Sequence, residues 1–341
     1  MNTNRLEKST EIEVDAENEM NAQVEELYLL KQIIRSSRIL KVAIKVFNTK
    51  KYLCDQIQIL FSKNVNQYRF DITQNHIDLP IKSPIKPFKV AIHFHVYFTN
   101  HLPLFVNYLN NIPFSYTCFV TTDNLEKKDK IEEYFEQNLK ENSCSIIITP
   151  NKGRDLIPWI VEMGKVNDEF DYCCHIHTKE SRHLPLMGSV WREYLLDNLL
   201  GSAEHVNSII AYFEAKPDLG IVYPPVFKGV SNKDNLGWGA KISEIKRLFQ
   251  QWGLDEPPVS PEFSAGTMMW YRSEAFSKLF QQNFSYEKFN EEALNGTFLH
   301  ILERSIVDFS KKNGYHSEKI INSDEFKKAL PESMFGYFPK T

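Results

Sequence analysis

Between positions 89 and 177 the chain alternates between two kinds of apolar pattern. "KVAIHFHVYF" (89–98), "SYTCFVTT" (115–122), "CSIIITP" (144–150) and "FDYCCHIH" (170–177) are short apolar runs rich in β-branched and aromatic residues, which predicts strands. Between them "HLPLFVNYLNNI" (101–112), "EKKDKIEEYFEQNL" (126–139) and "DLIPWIVEMGKV" (155–166) carry helical spacing. Pro103 falls in the first turn of its helix, where the missing N–H costs nothing. Such βα alternation predicts an α/β fold: an open, mostly parallel twisted sheet with helices on both faces, reached by right-handed crossovers. Downstream, "VWREYLLDNLLGS" (190–202) reads as helix and "LGIVYPP" (219–225) as strand. "FSAGTMMWYRSEAF" (263–276) reads as small residues leading into a strand, and "FNEEALNGTFLHILERSI" (289–306) as an acid-headed helix.

The pattern before residue 89 is different. Residues 1–20 are polar and without period, a frayed tail. From Val24 to Phe61 an amphipathic helix is predicted, because Leu30, Ile33, Ser37, Leu40, Ile44 and Phe47 recur at 3–4 spacing and no acid occurs between Glu26 and Asp55. Its basic face suits either packing on its own domain or a second subunit, as in a homo-oligomer, or docking on an anionic membrane surface. The prolines of "LPIKSPIKPFK" (79–89) break helix and strand alike. The expected organisation is a tail at 1–20, an N-terminal helical arm at 21–78, a linker at 79–88, the α/β domain at 89–320 and a C-terminal extension at 321–341.

Composition narrows the function classes. With 341 residues, 42% of them hydrophobic, the chain can bury a full core, and a net charge of −4 does not favour a nucleic-acid partner. Five cysteines without a CxxC pair fit a reduced, cytoplasmic chain. No apolar run approaches the roughly 20 residues of a membrane span, and the N-terminus does not read as a signal peptide.

Ligands of open parallel sheets sit outside the carboxyl ends of the strands, so the residues that follow each strand are the candidates. His93 and His95, within the first strand, read as hydrogen-bonded core residues. Asp123 after the second strand either binds a nucleotide or caps the next helix. "PNKGRD" (150–155) offers Asn151, Gly153 for close backbone approach, Arg154 as a planar phosphate fork, and Asp155 as a helix cap or hydroxyl ligand. The tip "HIHTKES" brings His175, His177 and Lys179, then Arg182 and His183, placing positive charge where a diphosphate leaving group develops negative charge. His175 and His177 could also bind a metal, but no third ligand is visible, so no metal or other cofactor is required. Gly266 and Thr267 let a substrate approach the backbone, His300, Glu303 and Arg304 share one helix, and Trp238 lies in a glycine-containing loop, as a sugar-stacking surface or a packing lid.

Together "NKGRDLIPWI", "DYCCHIHTKES" with "WREYLLDNLLGS", "LGIVYPP", "FSAGTMMWYRSEAF" and "LNGTFLHILERSI" resemble the rhamnan-synthesis F family of bacterial glycosyltransferases, over about residues 88–310. The resemblance implies a GT-A-like fold and transfer of a sugar, typically L-rhamnose from a dTDP-linked nucleotide-sugar donor, to a growing cell-surface polysaccharide. The acceptor would be polyprenyl-linked or lipid-linked, at the inner face of the cytoplasmic membrane. It implies that the His-x-His-Thr-Lys tip replaces the usual metal-binding acidic pair. The chain departs from the family at Asn295, where an aspartate is usual. An inverting reaction needs a carboxylate base, so that role passes to Glu291 or Glu292, with Glu303 and Asp155 behind them. The competing expectation is a catalytically idle nucleotide- or glycan-binding scaffold of an assembly complex.

Overall fold

A computed structural model of the chain describes residues 77–79, 82–140, 143–178, 185–227, 236–289 and 298–322, all within one compact unit, Asn64–Thr341. The predicted tail and basic helix lie outside the described residues.

Among the described residues, eight strands make one sheet: β1 (Ile77–Asp78), β2 (Val90–His95), β3 (Thr117–Thr122), β4 (Ser143–Ile148), β5 (Tyr172–His177), β6 (Leu219–Tyr223), β7 (Met269–Arg272) and β8 (His316–Ile321), in the order β1-β8-β6-β7-β5-β2-β3-β4. Strand β7 runs antiparallel to β5 and β6, and the other pairs are parallel. Every position of β2 and β5 is buried, as a sheet covered on both faces requires.

The period of two divides those strands between two cores. Ile92, Phe94, Cys174 and Ile176 face a layer built from α1 (Leu102–Leu109), α4 (Pro185–Leu200) and α5 (Ala203–Ala215), while Ala91 and Cys173 face the opposite layer of α3 (Leu156–Met163), α6 (Ile242–Gln251), α7 (Ser277–Phe280) and α8 (Phe298–Lys312). The charged surface helix α2 (Leu125–Asn138) buries only Ile131 and Phe135. Phe94 stacks on Phe105 with ring centroids 4.8 Å apart, and both rings are fully buried, so truncating either to alanine costs roughly 3–5 kcal/mol.

Two boundaries differ from the sequence expectation. Ile77–Asp78, read as the end of the helical arm, pairs with Ile320–Ile321 as the edge of the sheet, so the segment after residue 320 begins inside β8. The Pro/Lys linker is strapped to α5: Lys82 N–H donates to Ser208 Oγ at 3.2 Å, and Ile85 and Lys86 N–H donate to the Glu214 carboxylate at 2.8 and 2.9 Å. Its prolines keep it out of the sheet, and α5 satisfies these three donors instead.

One carboxylate in α8 opposes folding at neutral pH. Burial pushes the Asp308 carboxyl up to about 6, Glu262 and Asp255 push the same way, and Lys311 only partly offsets them. A carboxyl raised in the folded state favours folding while it is protonated, and that contribution is lost as pH climbs from about 4 to about 6. Asp308→Asn should therefore stabilise the protein by about 1 kcal/mol at pH 7.5, roughly 2 °C in Tm, and much less at pH 4.5. Paired melts of the two proteins across that range check it, and an offset independent of pH would contradict it.

Candidate functional site

Strands β2, β3 and β5 end along one rim of the sheet, and the antiparallel β7 begins there. The rim opens into a cleft of about 560 Å³, in the size range of small-molecule sites.

The floor is set by strand register. Within the ladders His93 lies opposite His175, and His95 opposite both His177 and Thr121, so these side chains gather on the face covered by α3. His93 Nδ1 and His175 Nδ1 are 2.8 Å apart; Thr121 Oγ1 lies 3.2 Å from His93 Nε2 and 2.9 Å from His95 Nδ1. Trp159 of α3 stacks on His175 with ring centroids 4.9 Å apart and donates its N–H to Tyr271 Oη. Burial lowers the basicity of all three imidazoles: His93 far below the ordinary value, helped by His175, His95 to about 3, and His175 in the same direction.

Asp155 closes this group. It stands at the start of α3 without capping it; its Oδ2 instead approaches His175 Nε2 at 3.5 Å and His177 Nε2 at 3.6 Å. Burial alone would raise its carboxyl, but His177 and the N–H that His175 turns toward it outweigh that and hold it well below the usual range. His177 Nε2–H donates to Gly266 O at 2.8 Å, tying β5 to the turn before β7. Thr178 accepts from Tyr97 and Phe98 N–H at 2.9 and 3.0 Å, which fixes the aromatic lip after β2.

Two strained turns form the walls. Gly153 (φ 74°) and Arg154 (φ 57°) are both left-handed, as are Gly266 (φ 95°) and Thr267 (φ 61°). A left-handed arginine is uncommon and a left-handed threonine a true outlier. Strain of this kind, about 1–3 kcal/mol per residue, persists where the surroundings impose it, and such residues cluster at functional sites. Ser264 supports the second turn: its carbonyl accepts from Thr267 N–H at 2.9 Å and its hydroxyl donates to Met268 O at 2.7 Å.

Helix α8 supplies the opposite side with His300, Glu303 and Arg304. Glu303 Oε1 accepts from Thr267 Oγ1 at 3.3 Å, and the Arg304 guanidinium lies 5.4 Å from the Phe263 ring centre. Burial lowers the basicity of His300, and the charges of Arg154 and Arg304 lower it further, so the cleft resists a third cation. An anion would relieve that repulsion.

Of the candidates read from sequence, Asn151, Arg154, Asp155, His177, Gly266, Thr267, His300, Glu303 and Arg304 line this one cleft, with His175 beneath it and Gly153 buried in its wall. Two candidates fall elsewhere. Asp123 neither caps α2, since Asn124 does so by accepting from Lys127 N–H, nor lines the cleft; it holds the Lys127 ammonium at 2.7 Å, poised 3.9 Å from the Tyr97 ring centre. Trp238 is a packing residue, buried against Phe249 and donating to Pro258 O at 2.9 Å. Lys179, Arg182, His183, Glu291, Glu292 and Asn295 lie outside the described residues. Thr178 of the His-x-His-Thr-Lys tip and Trp191 at the start of its helix also line the cleft, as do Tyr97, Phe98 and Phe263, which were not among the candidates; the tip rule reaches Tyr97 and Phe98 once β2 ends at His95, but nothing local marks Phe263. Among the described residues, no three His, Cys, Asp or Glu side chains are disposed to share one metal ion, and no helix is long and apolar enough to cross a membrane.

Comparison with known proteins adds three findings. The family described as rhamnan synthesis protein F matches residues 28–315. The uncharacterized protein WxcX of Xanthomonas campestris pv. campestris, in two strains, is 29% identical over 164 residues, covering 46% of this chain and 22% of WxcX. The matched stretch is thus about a fifth of the length of these curated relatives. A crystal structure of S. aureus TarS 1–349 aligns with a TM-score of 0.36 at 10% identity, covering 71% of this chain and 63% of that one.

Proposed function

The chain belongs to the rhamnan synthesis protein F family, and from that premise we propose that it is a glycosyltransferase of polysaccharide biosynthesis, binding a nucleotide-sugar donor and a glycan acceptor in the cleft. The observation that carries the proposal is one cavity lined by two guanidiniums, Arg154 and Arg304, and by two carboxylates, Asp155 and Glu303. Transfer of a glycosyl group from a nucleoside diphosphate needs both. Cations stabilise the charge that develops on the departing diphosphate, and a carboxylate takes the proton of the acceptor hydroxyl as it attacks the anomeric carbon.

In the finer reading the donor is dTDP-L-rhamnose, the reaction inverts the anomeric centre, and the acceptor is a lipid-linked glycan met at the cytoplasmic membrane surface. Arg154 clamps the diphosphate together with Lys179 and Arg182. Glu303 acts as base, because Asp155 is engaged by the imidazoles of His175 and His177, whereas Glu303 stands on the cleft wall beside Thr267.

Titration with dTDP-rhamnose, UDP-glucose, dTDP and UDP tests this directly, followed by a donor-hydrolysis assay on whichever sugar nucleotide binds. Arg154→Asn is the informative variant: asparagine tolerates the left-handed backbone, so the turn survives while the guanidinium is lost. Donor affinity should fall roughly 10-fold or more, the value of a charge-assisted phosphate contact, with Tm unchanged. Failure of the wild-type protein to bind any of the four would reject the glycosyltransferase reading in favour of a scaffold. Binding that is insensitive to Arg154→Asn would reject the clamp.

A further inference from the structure

Asp155, His175, His93, Thr121 and His95 form a buried run with both ends reaching the cleft wall; hydrogen bonds join it from His175 to His95, and Asp155 Oδ2 faces His175 Nε2 across 3.5 Å as an electrostatic contact. His93 and His175 are fully buried and His95 nearly so, and burial disfavours the charged form of all three imidazoles. Each is therefore neutral, with one N–H and one bare nitrogen.

Neutrality makes the proton positions a matter of deduction. An ionised carboxylate only accepts, so His175 turns its N–H at Nε2 toward Asp155 and leaves Nδ1 bare. The 2.8 Å contact then requires His93 to donate from Nδ1, leaving His93 Nε2 bare. Thr121 must give its one hydroxyl proton to that nitrogen and can only accept from His95 Nδ1–H. His95 Nε2 is left as a bare lone pair on a residue that lines the cleft. The opposite polarity would set a bare His175 nitrogen against the carboxylate, a repulsion that an ionised Asp155 forbids.

The geometry points to a tautomer relay: Asp155, through His175, His93 and Thr121, fixes His95 as an obligate hydrogen-bond acceptor, and His95 Nε2 receives a hydroxyl of the bound sugar. The choice of sugar as ligand rests on the glycosyltransferase reading; the relay does not. Thr121, His93, His175 and Asp155 are positioning residues. Of these five, His95 alone touches the ligand, and because burial keeps its imidazole neutral it selects for a hydroxyl donor over an anion. Arg154, Arg304 and His300 supply the cationic part of the same cleft.

The test reads tautomers directly. Full-length protein carrying ¹⁵N-labelled histidine is measured by long-range ¹H–¹⁵N correlation at pH 7, with single-histidine variants for assignment. His95 and His93 should show protonated Nδ1 and His175 protonated Nε2. Thr121→Val keeps the side-chain shape but removes the hydroxyl link. In it His175 should keep its Nε2–H form, which also reports an intact core, while His95 becomes a mixture of tautomers. Affinity for the sugar nucleotide that binds best should then fall roughly three- to tenfold, with affinity for the free nucleotide unchanged. Protonated Nε2 on His95 in the wild type, or a His95 tautomer indifferent to Thr121→Val, would overturn the relay. A shifted tautomer with unchanged sugar-nucleotide affinity would overturn the ligand assignment. Expected tautomers in a protein that binds no sugar nucleotide would leave the relay standing and remove the glycosyltransferase reading instead.

Discussion

Alanine at position 153 is expected to destabilise the domain by about 2–5 kcal/mol, lowering Tm by roughly 5–10 °C, and to abolish ligand binding in the fraction that still folds. Gly153 has φ 74°, where an L side chain costs about 1–2 kcal/mol. A methyl built there would also stand 2.1 Å from Ile157 Cγ1 and 2.4 Å from Ile157 Cβ. Ile157 is fully buried beneath the sheet and cannot swing aside, so the first turn of α3 must move. That movement would carry Arg154 and Asp155 with it, since they are the next two residues. The effect should therefore exceed that of Gly253→Ala, which meets strain at φ 68° but no atom within 4 Å. Thermal melts of both variants check the ranking. Equal losses would mean that backbone strain alone matters and that the packing of Gly153 on Ile157 contributes nothing.

That turn also shows how far sequence reasoning reached. Strands β2 and β5 were legible because "VAIHFH" and "YCCHIH" are buried on both faces, and a short, largely apolar run with polar tips satisfies that. The adjacent Cys173 and Cys174 do fall in opposite cores, as a period of two requires. Strand β8, "HSEKII", escaped because Glu318 and Lys319 break the apolar run; Glu318 is held by Lys216 at 2.7 Å, a partner 102 residues away. Helix α6 escaped for a related reason: Ile245, Leu248 and Phe249 form only a narrow stripe, next to glycines that read as loop.

At the site, what could be read locally was the chemistry of each tip; what could not was which tips meet. The pairing of β7 between β5 and β6 brings Gly266 to His177, and no spacing rule predicts an antiparallel strand there. Asp123 misled because an acid after an apolar strand is equally at home as a nucleotide ligand or an ion-pair partner, and Lys127 one helical turn on was the signal for the latter. Trp238 took the packing-lid alternative because its loop is followed by an amphipathic helix whose apolar stripe is what it covers.

Glu303→Gln should lower the rate of transfer by about 10²–10⁴-fold while changing donor KM less than threefold, the signature of a group used only in the transition state. Glutamine keeps the size of the side chain and can still accept from Thr267 Oγ1, the contact that holds Glu303 on the wall at 3.3 Å, so the fold of the rim should survive. What disappears is the ability to take a proton. Asp155→Asn predicts a different pattern, because Asp155 is committed to His175 and His177: sugar-nucleotide affinity and histidine tautomers should change together. Glu291→Gln and Glu292→Gln complete the comparison at the entrance to α8. If either of those collapses turnover while Glu303→Gln leaves it near the wild-type value, the base belongs to the segment before the helix, and Glu303 serves only to hold Thr267 and balance Arg304.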